Sequence, residues 1–138
     1  MRRVMVQAET IEKLAYKITR RRPAVSRSTS HRRFVSLFGI SSRIVSALWR
    51  LLERQATLPR GFTPAHLLWT LCFVKVYATE AITAALFGCD EKTLRKWIWI
   101  GLKQLADIDF MVRTNTVIRM YSSSCTCVLT NGLLALFL

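Results

Sequence analysis

The sequence has little of what most enzymes need. Its 138 residues include only 8 Asp and Glu and 2 His, which leaves few side chains for a metal cage or for acid–base catalysis. The four cysteines are too few and too unevenly spaced for a disulfide framework, and Cys125 and Cys127 have no second pair for zinc. There is no glycine-rich phosphate loop and no nucleophile elbow. We therefore expect no enzyme, no metal or cofactor, and no small-molecule substrate.

Long apolar runs are also missing. The N-terminus lacks the continuous apolar stretch of a secretory signal, and the apolar residues 128–138 are far fewer than the ~20 that span a bilayer. We expect no transmembrane segment. Residues 13–36 are rich in Arg and Ser and contain no acid, so residues 1–33 could form a mitochondrial or plastid transit peptide. Glu9 and Glu12 argue against that alternative.

Positive charge is abundant and unevenly placed. The chain has 21 Lys and Arg against 8 acids, a formal net charge of +13. Residues 1–60 hold 14 Lys and Arg and 3 acids, whereas residues 61–110 hold 5 of each. A basic front half joined to an electrically neutral, apolar middle is typical of a polyanion-binding surface attached to a packed core. The partners this suggests are nucleic acid and anionic membrane.

The hydrophobic spacing is helical almost throughout, which predicts an all-α fold. A first amphipathic helix begins near Val4 and ends before Pro23, and residues 23–31 are a Ser/Arg-rich linker. A short helix follows as far as Gly39, and Ser41 caps a helix over 42–55. The residues expected on its apolar face are Ile44, Val45, Leu48, Leu51 and Leu52. The arginines on its opposite face are Arg43, Arg50 and Arg54.

The next helix has a clear start signal and an almost wholly apolar sequence. Thr63 is a good N-cap and Pro64 suits the first helical position. The helix over 65–77 has only Lys75 as a charged residue, so we expect it to be the buried centre of the bundle.

Residues 79–108 have the layout of a helix-turn-helix. A short helix over 79–87 is followed by Gly88 and Cys89, and Asp90 caps a long helix that ends near Ile108. The residues predicted to face the core are Leu94, Trp97, Ile98, Gly101, Leu105 and Ile108. The residues predicted on the far side are Lys92, Arg95, Lys96, Trp99 and Lys103. Such a face suits phosphates and base edges of a major groove, although any solvated helix can carry it. We expect Trp99 to pack under a neighbouring element rather than to stack on a base.

Three blocks of the sequence carry a family resemblance. They are FGIS at 38–41 with LWRLL at 48–52 and LP at 58–59, TPAHLLWTLCFVKVY at 63–77, and DEKTLRKWIW at 90–99. In this order they resemble the N-terminal helix-turn-helix region of PIF/Harbinger-like DDE-superfamily transposases, of the kind found in oomycete and algal genomes. The resemblance covers about residues 32–110. It implies binding to transposon-end DNA, with an Asp/Asp/Glu nuclease triad in a downstream RNase H-like domain.

The chain departs from that family at Phe110 and Met111. No acid follows Asp109, so no triad residue can be placed, and we expect a product truncated before the catalytic domain or a transposon remnant. Three segments are predicted: a basic N-terminal helix and linker (1–31), a small helical bundle with the helix-turn-helix (32–110), and an irregular apolar tail (111–138).

The leading hypothesis is a nuclear DNA-binding module. The residues expected to contact double-stranded DNA are Lys92, Thr93, Arg95, Lys96, Lys103, Arg43, Arg50, Arg54, Arg20, Arg21, Arg22, Arg32 and Arg33. One alternative is a non-enzymatic interaction domain, which forms a homodimer or binds a transposase through Trp99 and the apolar tail. Another is a membrane-surface or organelle-targeted peptide that uses residues 4–20 with the C-terminal residues 133–138.

Overall fold

The computed structural model of the chain describes residues 7–55 and 58–122, with side chains up to Asp109. Within these ranges it contains six α-helices and no strand, so the predicted all-α fold is confirmed. The helices are α1 (Ala8–Thr19), α2 (Arg27–Phe38), α3 (Ser42–Arg54), α4 (Pro64–Val76), α5 (Glu80–Phe87) and α6 (Glu91–Ser122). Val4, Cys125 and Cys127 lie outside the described residues, as do residues 123–138 of the predicted tail.

Two compact units divide the chain between Ala106 and Asp107. The first contains α1 to α5 and α6 as far as Ala106. The second begins at Asp107 and includes the rest of α6, which continues to Ser122 rather than ending near Ile108. Residues 111–122 are therefore helical and not irregular. The sequence offers no Gly or Pro between Gly101 and Ser122, so nothing in that stretch ends a helix.

The predicted helix starts are confirmed at α3, α4 and α6. The Ser41 hydroxyl accepts from the Ile44 N–H at 3.5 Å. Thr63 is the N-cap of α4, with Pro64 in the first turn. Asp90 Oδ2 accepts from the N–H groups of Lys92 at 3.1 Å and Thr93 at 3.3 Å. Capping of this kind satisfies donors that have no partner within the helix.

α1 is part of the bundle and not a separate arm. Ile11 and Ala15 are buried, and α1 packs against α3, α4 and α5. Ser42 on α3 donates to Glu12 Oε1 at 2.7 Å. The linker predicted over 23–31 is also shorter than expected, because α2 begins at Arg27. The first turns of α2 carry no apolar residue, so hydrophobic spacing could not reveal where this helix begins.

The buried face of α3 differs from the predicted one. Val45 and Leu52 are buried as expected, but Ile44 and Leu51 are 41% and 45% exposed. Trp49 takes their place in the core, where its ring stacks on Phe62 with centroids 6.1 Å apart. The helix is rotated because burying one indole removes more apolar surface than burying an aliphatic side chain.

α4 is the central helix, as predicted. The buried residues along it are Leu67, Leu68, Thr70, Leu71 and Cys72. It packs against α1 and α2, and its Thr70 and His66 also contact α6.

Candidate nucleic-acid interface

The inner face of α6 is held against α4 by a close backbone approach. Leu94 and Ile98 are buried. Gly101 faces Thr70 so closely that a Cβ atom there would lie 3.0 Å from Thr70 Cβ, and closer to its Oγ1. Only glycine fits this position without displacing a neighbour. The predicted inward residues of α6 in the first unit are therefore confirmed, with Trp97 and Leu105 part-buried.

A cluster of aromatic rings also fixes α6. Trp97 stacks on His66 of α4, with ring centroids 4.1 Å apart and planes 9° apart. Phe62 lies 6.2 Å from Trp97 and 6.1 Å from Trp49, so the cluster joins α3 and α6. Trp69 and His66 form an edge-to-face pair with ring centroids 4.9 Å apart. Such ring pairs add to the energy of burial and fix orientation, so the position of α6 is set by three other segments.

The outer face of α6 is exposed as predicted. The exposed residues on it are Lys92, Thr93, Arg95, Lys96, Trp99 and Lys103. Trp99 is 66% exposed and is not covered by another element within the first unit, contrary to the prediction. The face therefore presents three lysines, an arginine and one indole on a helix whose opposite side is anchored.

Arg95 differs from the lysines because it has an acidic partner that the sequence analysis missed. Its guanidinium donates from Nε to Glu80 Oε2 at 2.8 Å, with a second contact from Nη2. The hydrogen bond lowers the pKa of Glu80 and raises that of Arg95. Because the pair spans 15 residues, no helical spacing pointed to it. Arg95 therefore offers less unbalanced charge than Lys92 or Lys103.

The arginines at the end of α1 lie near the turn that precedes α6. Arg20 ends α1 in the left-handed conformation (φ 54°), and its guanidinium packs over Gly88, between α5 and α6. Arg21, Arg22 and Arg33 line a small pocket beside Tyr16. The structure thus joins α1 to α2 in one basic cluster and places Arg20 at the turn between α5 and α6.

The remaining predicted cations are also on the surface. Arg32 is exposed on α2. Arg43, Arg50 and Arg54 are exposed along α3, and Arg50 donates to the Ser46 carbonyl at 3.4 Å. They flank the exposed Ile44 and Leu51.

Other chemistry has little support in the part of the chain that the structure describes. No group of three or more His, Cys, Asp or Glu there is placed to hold a metal. Burial raises the pKa of the Cys72 thiol to about 11, so it is a poor nucleophile. No single described helix has the length and hydropathy to cross a membrane. Only α2 and α3 taken together pass that test, and they are bent by 50°.

Comparison with protein families, with curated proteins and with solved structures gave no match. The likeness to PIF/Harbinger-like transposases stays a prediction.

The stability of the anchoring cluster should depend on pH through His66. Its Nδ1 accepts the Thr63 N–H at 3.1 Å, and burial lowers its pKa, partly offset by a hydrogen bond with the Gly61 backbone. A folded pKa below the unfolded one means that the stabilisation is complete above about pH 6.5 and is lost as the pH falls through the folded value. We expect the Tm to fall on acidification, as measured by thermal melts from neutral to acidic pH.

His66→Gln is the matched variant, because it keeps an acceptor but cannot titrate there. Its Tm should change less with pH than that of the wild type. Equal pH profiles for wild type and His66→Gln would show that His66 is not the titrating group.

Proposed function

We propose that this chain binds duplex DNA by placing the outer face of α6 in the major groove. One observation carries the proposal: α6 is anchored by Trp97 and Gly101 on one side and presents Lys92, Lys96 and Lys103 on the other. A rigid helix with projecting cations meets the requirements of groove binding, because phosphates are neutralised while the helix keeps its orientation.

The arrangement of α5 and α6 supports this orientation. Gly88, Cys89 and Asp90 separate the two helices, and Asp90 caps the second. In helix-turn-helix proteins the first residues of the second helix contact base edges. Lys92, Thr93 and Lys96 occupy the corresponding first turns of α6. We assign Lys92 and Lys96 to base edges or nearby phosphates, and Thr93 to a secondary contact.

The basic residues outside α6 would contact the phosphate backbone. Arg20 sits over the turn before α6, so it lies beside the proposed groove-binding helix. Arg21, Arg22 and Arg33 extend this basic surface onto α1 and α2, and Arg32 adds to it. Phosphate contacts fix register but carry no sequence information. We propose that the module derives from a transposase and acts in the nucleus without cleaving DNA.

Salt-dependent binding tests this function. The protein is titrated into a fluorescein-labelled duplex of mixed sequence, and anisotropy is read at several salt concentrations. Six to ten phosphate contacts would lower the affinity ~10³–10⁵-fold between 50 and 200 mM salt. Absence of binding at the lowest salt would refute the proposal.

Self-association is a second candidate function. Ile44 and Leu51 leave an apolar strip exposed on α3, with the exposed Ala47 between them. A strip of this spacing can pair with a second helix. Light scattering would show a dimer mass that persists at high salt, whereas a monomer mass at all salt concentrations would exclude it.

A further inference from the structure

Trp99 is exposed at the centre of the cationic face of α6. Its side chain is 66% exposed, whereas Trp49 is buried at 5%. At about 100° per residue, Trp99 lies within about 20° of Lys92 and about 40° of Lys103 around the helix axis. The indole therefore points the same way as the lysines that the proposed function places against DNA.

The indole of Trp99 is largely open to solvent. None of the ring contacts found among the described side chains includes Trp99. Lys96 places its Nζ over Trp97, 5.1 Å from the ring centroid, and not over Trp99. Arg95 is occupied by Glu80. The π-face of Trp99 is thus available to a ligand, and Lys92 and Lys103 lie on the same side of the helix as the indole.

The charge around Trp99 identifies the chemistry of its ligand. An exposed aromatic side chain on a cationic helix face suits a polyanion that also carries flat rings, which describes a nucleic acid. Away from the ends of an intact duplex, both faces of each base are covered by neighbouring bases, and the groove exposes only base edges. Within such a duplex an indole can stack fully only on a base that is unpaired.

We propose that Trp99 is a stacking platform for an unpaired nucleobase, so that the preferred ligand is duplex DNA with an adjoining single-stranded segment. The inference rests on the proposed function, since it needs the lysines of α6 to hold the flanking phosphates. It adds a specificity that groove binding alone would not have: a preference for DNA with bases outside the helical stack.

Three DNA probes with one duplex sequence test the preference by anisotropy. The first is blunt, the second carries an overhang of about five thymines, and the third carries an overhang of the same number of abasic sugars. About five nucleotides lie within the length that one binding site for single-stranded DNA covers. The two overhangs have equal charge and differ only in their bases. We expect the thymine overhang to bind about tenfold more tightly than the abasic one, the size of one stacked base.

Variants of Trp99 separate stacking from simple apolar contact. Trp99→Ala and Trp99→Leu should both lose the preference for thymine over abasic overhang, while Trp99→Phe should keep part of it. Tyr77, which is 83% exposed at the end of α4, supplies the control. Tyr77→Ala should keep the full preference. Far-UV circular dichroism of each variant checks that the helices are intact.

The outcomes distinguish this proposal from the one on which it rests. Loss of the overhang preference in Trp99→Ala, with the salt slope of blunt-duplex binding retained because the indole is uncharged, supports stacking. Equal binding of thymine and abasic overhangs by the wild type would overturn it and leave duplex binding intact. So would a Trp99→Leu variant that keeps the preference. Failure to bind any probe would overturn both proposals.

Discussion

Lys92→Ala/Lys103→Ala should lower the affinity for duplex DNA about 60-fold at 0.1 M salt. Each lost phosphate contact makes the slope of log K against log salt less steep by about 0.9. Extrapolated from equal affinity at 1 M salt, two lost contacts lower log K by about 1.8 at 0.1 M, one decade below. The measured slope should therefore be less steep than that of the wild type by about 1.8. Both lysines are exposed, so their removal should leave the Tm close to that of the wild type. Anisotropy over a salt series measures affinity and slope together.

A matched variant separates position from net charge. Lys13→Ala/Lys17→Ala removes the same charge from exposed positions on α1 that are not assigned to DNA. Its slope should stay close to the wild-type value. Glu80→Gln is the opposite control, because it releases Arg95 from its partner and should steepen the slope by about 0.9. Equal losses in the two double variants would mean that the total charge, and not α6, sets the affinity.

Gly101→Ala should lower the free energy of unfolding by about 1–3 kcal/mol, the usual effect of overpacking a core. Helix propensity alone predicts the opposite sign, since alanine stabilises a helix interior by about 1 kcal/mol relative to glycine. We expect destabilisation because the Thr70 side chain occupies the space that the Cβ atom of the introduced alanine would need. Urea unfolding followed by circular dichroism measures the difference.

Thr70→Ala tests the cause of that loss. It removes the Oγ1 and Cγ2 atoms that crowd Gly101, so Gly101→Ala/Thr70→Ala should be more stable than the sum of the two single changes predicts. Strict additivity would place the strain elsewhere. An increase in stability for Gly101→Ala alone would contradict the close packing of α4 and α6.

The two faces of α6 could be predicted from the sequence because charged and apolar residues alternate along it with a clear helical period. The caps at Ser41, Thr63 and Asp90 were equally readable, since a cap depends only on residues within one turn. The burial of α4 followed from its composition. All of these are local properties of one helix.

The features that were predicted wrongly or not at all depend on contacts between helices. The predicted buried face of α3 is wrong because Trp49, which stacks on Phe62, is buried in place of Ile44 and Leu51. Likewise, the pairing of Glu80 with Arg95 and the stacking of His66 on Trp97 join residues that are distant in sequence. No periodicity encodes such pairs, so the partners that anchor α6 could not be predicted even though its inner and outer faces could.

The most direct test of the account is to map the DNA-binding surface by NMR. Amide chemical shifts of the ¹⁵N-labelled protein are compared before and after addition of the duplex. If α6 enters the groove, the largest changes should lie at residues 92–103, with smaller ones at Arg20 and the turn around Gly88. Shifts confined to α1 to α3, with residues 92–103 unchanged, would contradict the central claim.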